Sequence, residues 1–320
     1  MVPIQEAYKN LWADLDENEL FPSKRPFLAH YTSISTFENI IRNDELWFSN
    51  PLEMNDWEEL IFGMREGARC FREHEGIREA CGSEETYSKL TNYFELYLLK
   101  FGEKHAFNTY VMCFSNHDST DEDGVLSMWR GYGQNGNGIS LVIDTKVINY
   151  YEESPFIIAP VVYASVEKRI DWINTKLDEF SRSLKVAEKN DQNLSTLAYY
   201  WIQRLTVFSL FTKHDGFKEE SEWRVVYLSD RDETELLKSM LSYHATDDGL
   251  QPKLKLKLND IPELLGGKVE LEKLIHKIIL GPTTSSAIAA LTLKRMVEQL
   301  GKPSLVDKIV PSSIPFRHKK

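Results

Sequence analysis

The stretch RGYGQNGNGISLVID, Arg130 to Asp144, carries Gly131, Gly133 and Gly136 in the spacing GxGxxG. A dinucleotide-binding Rossmann loop with that spacing follows a strand and opens a helix, because the phosphate rests on the amides of the helix N-terminus. Here the order is reversed. MWR before the glycines suits a short helical or irregular segment, and ISLVID after them is a nearly continuous apolar run that suits a strand. Asn135-Gly136-Asn137-Gly138 doubles the Asn-Gly turn signal, whose residues tolerate positive φ. The glycines therefore read as a tight entry into a central strand. Their flank holds Trp129, Arg130 and Tyr132, residue types that stack a planar heterocycle and pair a phosphate, and that equally serve as core and rim.

Outward from this strand, apolar and turn residues alternate in a mixed pattern. FLAHYTS and LWFSNP read as strands around a helix opened at Ser35-Thr36, and the helical spacing from Asp56 to about Lys104 is divided at Gly82-Ser83. TYVMCFS, IIAPVVYA, EWRVVYL, KLKLKL and KIILGP read as further strands, and a closing helix runs from about Ser286 to Leu300. Asn55-Asp56 is read as a helix cap. The expected architecture is α+β, a single mixed domain over 1–320 with an N-terminal helix at 1–20 and a helical insertion at about 167–213.

The 320 residues carry a net charge of -11, which argues against a surface that grips nucleic acid mainly through phosphates. KLKLK, Lys253 to Lys257, reads as a strand with Leu254 and Leu256 inward and not as a basic patch. Three cysteines without CxxC spacing fit a reducing compartment, and no secretion signal or spanning apolar run is seen, so a cytoplasmic protein without a membrane partner is expected. No HExxH, paired-His spacing, GxSxG elbow or Walker loop is present, so no metal is expected.

Two further constellations carry chemistry. In ESEWR, strand alternation would place Glu220, Glu222 and Arg224 on one face, with the two carboxylates about 6 to 7 Å apart. Such a pair, at the edge of the apolar VVYL, can hold a substrate hydroxyl or accept a proton. In HYTS, His30 and Thr32 share one strand face and Tyr31 takes the other.

HYTS with LWFSNPLEMND, MWRGYG, and ExEWR in this order resemble a bacterial family catalogued as a domain of unknown function, some members of which sit near mobile or defence elements. That layout is in turn similar to ADP-ribosyltransferases and RNA 2′-phosphotransferases. The resemblance implies a split β-sheet core of ADP-ribosyltransferase type with helical insertions. It implies NAD as substrate, with His30 on the adenosine ribose and Thr32, with Tyr31 beside it, toward the nicotinamide. Ser49, Tyr132 or Trp129 would fill the middle position, and Arg130 and Arg224 would supply cations. Glu222 would match the late glutamate, with Glu220 completing ExE. His30, Glu220 and Glu222 are the expected catalytic set. The implied activity is ADP-ribose transfer to a protein or nucleic acid, or NAD cleavage, as a toxin or anti-phage effector. A homodimer or a defence-system protein is the implied partner. Two alternatives stand beside it: a metal-dependent nuclease using Glu220, Glu222 and Asp144, and a non-catalytic nucleotide-binding sensor or scaffold.

Overall fold

The computed structural model describes residues 4–54, 57–149, 154–232, 235–246, 249–261 and 267–316, so Asn55-Asp56 lies outside the described residues. Along the chain, α1 (Ile4–Trp12) precedes β1 (Phe27–Thr32), α2 (Ile34–Asn43) and β2 (Glu45–Ser49). Helices α3 (Trp57–Glu73), α4 (Glu75–Cys81) and α5 (Glu84–Lys100) follow, then β3 (Thr109–His117), α6 (Leu126–Gly131), β4 (Ile139–Asp144), β5 (Phe156–Pro160) and β6 (Val162–Ala164). The long helices α7 (Val166–Val186) and α8 (Asp191–Phe211) lead into β7 (Thr212–His214) and β8 (Glu222–Leu228). The remainder comprises β9 (Leu241–Thr246), β10 (Gly249–Lys257), α9 (Leu271–Leu274), β11 (Ile275–Leu280), α10 (Ala287–Gln299) and β12 (Ile309–Pro311). Several helices begin at side-chain caps the sequence spells out: Ser33, Ser83, Ser165, Asn190 and Ser286 each accept a hydrogen bond from a first-turn amide. None of the helices among the described residues is long and apolar enough to cross a membrane.

Two compact units form. One gathers the chain up to residue 17 with 51–109 and 161–217; the other takes 18–50, 110–160 and the chain from 218 onward. In the first unit, α8 is buried over most of its circumference, from Leu194 through Trp201 to Phe211, as expected of a central helix. Phe71 and Phe94 stack at 4.1 Å, and Phe180 and Trp201 complete a fully buried aromatic core. The N-terminal helix, read over 1–20, ends at Trp12 and is held by a charge cluster. Arg204 donates to the Leu11 carbonyl and to both Asp14 carboxylate oxygens, between the rings of Trp12 and Trp172. Lys176 and the Trp172 indole also reach Asp14.

Burial pushes the Asp14 carboxyl up, but Arg204, with Trp172 and Lys176, holds it below the ordinary carboxylate range. Its stabilising contribution is therefore present above the usual carboxylate pKa and lost as pH falls through the lowered folded value. We expect Asp14→Asn to lower the unfolding free energy by about 2 kcal/mol. That is less than for a wholly buried pair, because the Asp14 side chain is 28% exposed. Urea unfolding at pH 7 measures this, and an unchanged midpoint would contradict it.

The second unit is built on a ten-stranded mixed sheet in the order β12-β11-β4-β1-β3-β2-β10-β9, with β8 on β3 and β5 on β8. β11 and β12 run parallel, whereas β1 lies antiparallel to both β3 and β4. One face buries Leu28, Phe48, Met112, Phe114, Trp223, Tyr227, Leu254 and Leu256. The opposite face buries Ala29, Tyr31, Trp129, Val142 and Ile279. Leu254 and Leu256 thus point inward as KLKLK suggests. IIAPVVYA, read as one strand, is two: β5 ends at Pro160, which lacks an amide donor, and β6 pairs with β7 in the first unit.

β3 has three partner strands. It pairs β1 from Phe27↔His117 to Ala29↔Ser115, β2 at Ser49↔Val111, and also β8. A strand has only two edges, so two of these partners share one edge at different registers and the sheet forks there.

The glycine stretch takes the reversed order that its sequence suggests: helix α6, turn, then strand β4. Asn135 (φ 52) and Gly136 (φ 83) are left-handed, so the first Asn-Gly makes the turn. Asn137 has φ -90, and Gly138 answers a different need: a Cβ there would lie 2.3 Å from the Thr32 carbonyl oxygen.

Candidate functional site

His30 stands where β1 leaves β3. Backbone pairing ends at Ala29↔Ser115, and the next contact is made by the imidazole, whose Nδ1 lies 2.9 Å from the Cys113 carbonyl oxygen. A carbonyl only accepts, so Nδ1 carries the proton. Burial lowers the His30 pKa; the Cys113 hydrogen bond opposes this, and the Lys253 charge lowers it further. The ring is then neutral at neutral pH, and Nε2 presents a lone pair. On the other branch, Lys253 Nζ donates to Ser49 Oγ at 2.7 Å, joining β10 to the end of β2. The fork thus carries an imidazole acceptor, a hydroxyl and an ammonium.

Because the folded His30 pKa is depressed, its stability contribution is full above the ordinary value near 6.5 and is lost as pH falls through the folded value. The His30 imidazole is expected to titrate below an ordinary histidine when its ring carbons are followed by NMR. A midpoint at or above 6.5 would contradict this environment.

β8 carries Glu222 and Arg224 along β3. Glu222 and Arg224 share one face, are both buried, and are bridged twice: Nε to Oε1 at 2.7 Å and an Nη to Oε2 at 3.0 Å. Such a fork-to-fork pair fixes the plane of the carboxylate. Glu220 does not join them by strand alternation, which corrects the expectation of one shared face. Ser221 has φ 44, and the strand begins only at Glu222. Glu220 instead accepts a hydrogen bond from the Tyr132 hydroxyl at 2.9 Å, while its own carbonyl accepts from Ser115 Oγ.

The remaining expected residues divide between packing and surface. Trp129 is fully buried, donates its indole N–H to the Asp123 carbonyl and meets Tyr31 edge-on at 4.8 Å. Tyr31 is buried beside it; its hydroxyl accepts from the Val125 amide, and burial pushes the phenol up to about 12. Both rings pack in the core cluster that holds α6 against the sheet. Thr32 is buried at the end of β1, opposite Ile139. Arg130 is exposed over the Phe316 ring. Lys253 reads in the sequence only as part of the KLKLK strand and not as a site residue. Alternation in KLKLK puts Lys253 on the polar face, but nothing local ties it to Ser49, 204 residues away.

Asp144 of the nuclease set lies on β4, which is separated from β8 by β1 and β3. At a spacing of about 4.8 Å per strand it is about 14 Å from the β8 carboxylates, too far to share one ion with them. Among the described residues, no group of three or more His, Cys, Asp or Glu is placed to hold a metal ion.

Comparison with known families adds one result. Residues 128–225 match the model of a family described as a protein of unknown function, DUF2971. The DUF2971 match contains Trp129, Arg130, Tyr132, Glu220, Glu222 and Arg224 and stops short of His30 and Ser49. Neither the curated proteins nor the solved structures give a match to the chain.

Proposed function

We propose that this protein uses NAD, transferring ADP-ribose to a protein or nucleic acid or cleaving the dinucleotide with water, on a split sheet of ADP-ribosyltransferase type. The observation that carries this reading is the fork at β3, where His30 occupies the opening between β1 and β3 and Ser49 with Lys253 occupies the other branch. The neutral His30 Nε2 accepts from a ribose hydroxyl, and the Lys253 ammonium is a counter-charge for the pyrophosphate.

Breaking the ribose–nicotinamide bond sends the bonding pair to nicotinamide and leaves oxocarbenium character on the ribose. A carboxylate that holds a ribose hydroxyl stabilises that charge. On the resemblance to the late glutamate we assign this role to Glu222, whose carboxylate plane Arg224 fixes, and we assign to Glu220, held by the Tyr132 hydroxyl, the proton of the incoming nucleophile. The acceptor, the toxin or defence role and the partner protein rest on the family resemblance alone.

The test is release of nicotinamide from labelled NAD. Wild type releases it, and Glu222→Gln, checked to be folded by circular dichroism, releases it about 100-fold more slowly. Full activity in that variant would remove Glu222 from the chemistry. Stabilisation by NAD without release would favour the sensor or scaffold reading.

A further inference from the structure

The second unit also holds a partly open cavity of about 230 Å³ on the sheet face opposite Glu222 and Arg224. Val225 lines it, and Val225 alternates with those two residues along β8. The walls are apolar and rich in rings: Phe21, Phe48, Phe114 and Phe156 all contribute. Polar lining comes from Asn149, Ser154 and Arg231. Ser154 and Arg231 lie at one end of the β5–β8 ladder, because Phe156 pairs with Tyr227 and the Leu228 amide donates to the Pro155 carbonyl. Arg231 is exposed, which sets its guanidinium at the solvent side.

Apolar walls of this extent gain little from water, which needs two to four polar partners, and they lose dispersion contacts wherever no atoms face them. A cavity of roughly 150 Å³ lined by Leu, Ile and Phe takes benzene, so the present one suits an apolar body of about eight to ten carbon atoms. Among the described residues that line it, the one charged group is cationic. We propose that the cavity binds a small amphipathic carboxylate, with its apolar body among the phenylalanine rings and its carboxylate at Arg231. This ligand is independent of the NAD reading, since the fork residues do not line the cavity.

The experiment titrates the full chain with decanoate, decanol and decylammonium below their micelle concentrations. Binding is followed by calorimetry and by the δ-methyl NMR signals of Ile143, Ile148, Ile157 and Ile158. Decanoate is expected to bind saturably and shift these methyls, with decanol about tenfold weaker, the worth of one charge-assisted hydrogen bond. Decylammonium should be weaker still. Arg231→Gln should bring decanoate to the affinity of decanol and leave decanol unchanged; being at an exposed position, it keeps the fold. Absence of saturable methyl shifts with decanoate would overturn the proposal. So would equal binding of decanoate and decylammonium, or an unchanged preference in Arg231→Gln. Nicotinamide release plays no part in any of these readouts.

Discussion

Glu222→Ala is expected to lower the unfolding free energy by about 3 to 5 kcal/mol, the usual loss when one member of a buried ion pair is removed. The cause is local. Glu222 and Arg224 are each about 4% exposed, and truncation takes two charge-assisted hydrogen bonds from a guanidinium that stays buried. Replacing both partners, as in Glu222→Leu with Arg224→Met, should recover most of that loss, because an apolar pair needs no desolvation of charge. Urea denaturation of the wild type, the single variant and the double variant measures both effects. A single-variant loss below about 1 kcal/mol would mean that the pair behaves like an exposed surface bridge.

Gly138→Ala is expected to cost about 3 kcal/mol, at the upper end for overpacking, because the added carbon meets backbone that cannot turn aside. Its Cβ would lie 2.3 Å from the Thr32 carbonyl oxygen and 2.9 Å from that of Gly133. Gly131 is the control. Outside its chain neighbours and its own helix backbone, no atom lies within 4 Å of a Cβ there, so Gly131→Ala should change stability by no more than about 1 kcal/mol, in the stabilising direction if any. The contrast separates two uses of glycine in one stretch: Gly131 opens the GxGxxG spelling and is dispensable, whereas Gly138 lies outside that spelling and is required. Thermal unfolding of the two variants decides the point, and equal losses would contradict the packing account.

Most elements of the second unit were legible because local patterns set them. ISLVID, TYVMCFS and EWRVVYL carry enough buried apolar residues to declare strands, and the order of helix, Asn-Gly turn and strand excluded a phosphate loop. β9 carries a strict apolar–polar alternation in LSYHAT, yet it lies at the sheet edge and its Tyr243 is exposed, so that alternation does not mark a buried face. β12 is only three residues long. Within the site, HYTS correctly separates His30 from Tyr31, but residue type could not tell that Trp129 turns inward from a short helix while Tyr132 turns outward to Glu220. The conformation of Ser221 decides which carboxylate joins the strand, and a serine at positive φ leaves no mark in sequence. The fork joins residues far apart in the chain, His30 to Cys113 and Ser49 to Lys253, so only the folded sheet displays it.

The most direct test of the account is an NAD titration of protein carrying labelled histidine, observed through the imidazole carbons. The chain has eight histidines, which serve as internal controls for one another. If the fork binds the dinucleotide, the His30 signal shifts saturably while the histidines that do not feel the Lys253 charge hold still, and Lys253→Ala weakens the midpoint by about tenfold through loss of a charge-assisted contact. A His30 signal unmoved at saturating NAD, or moved equally in Lys253→Ala, would contradict it.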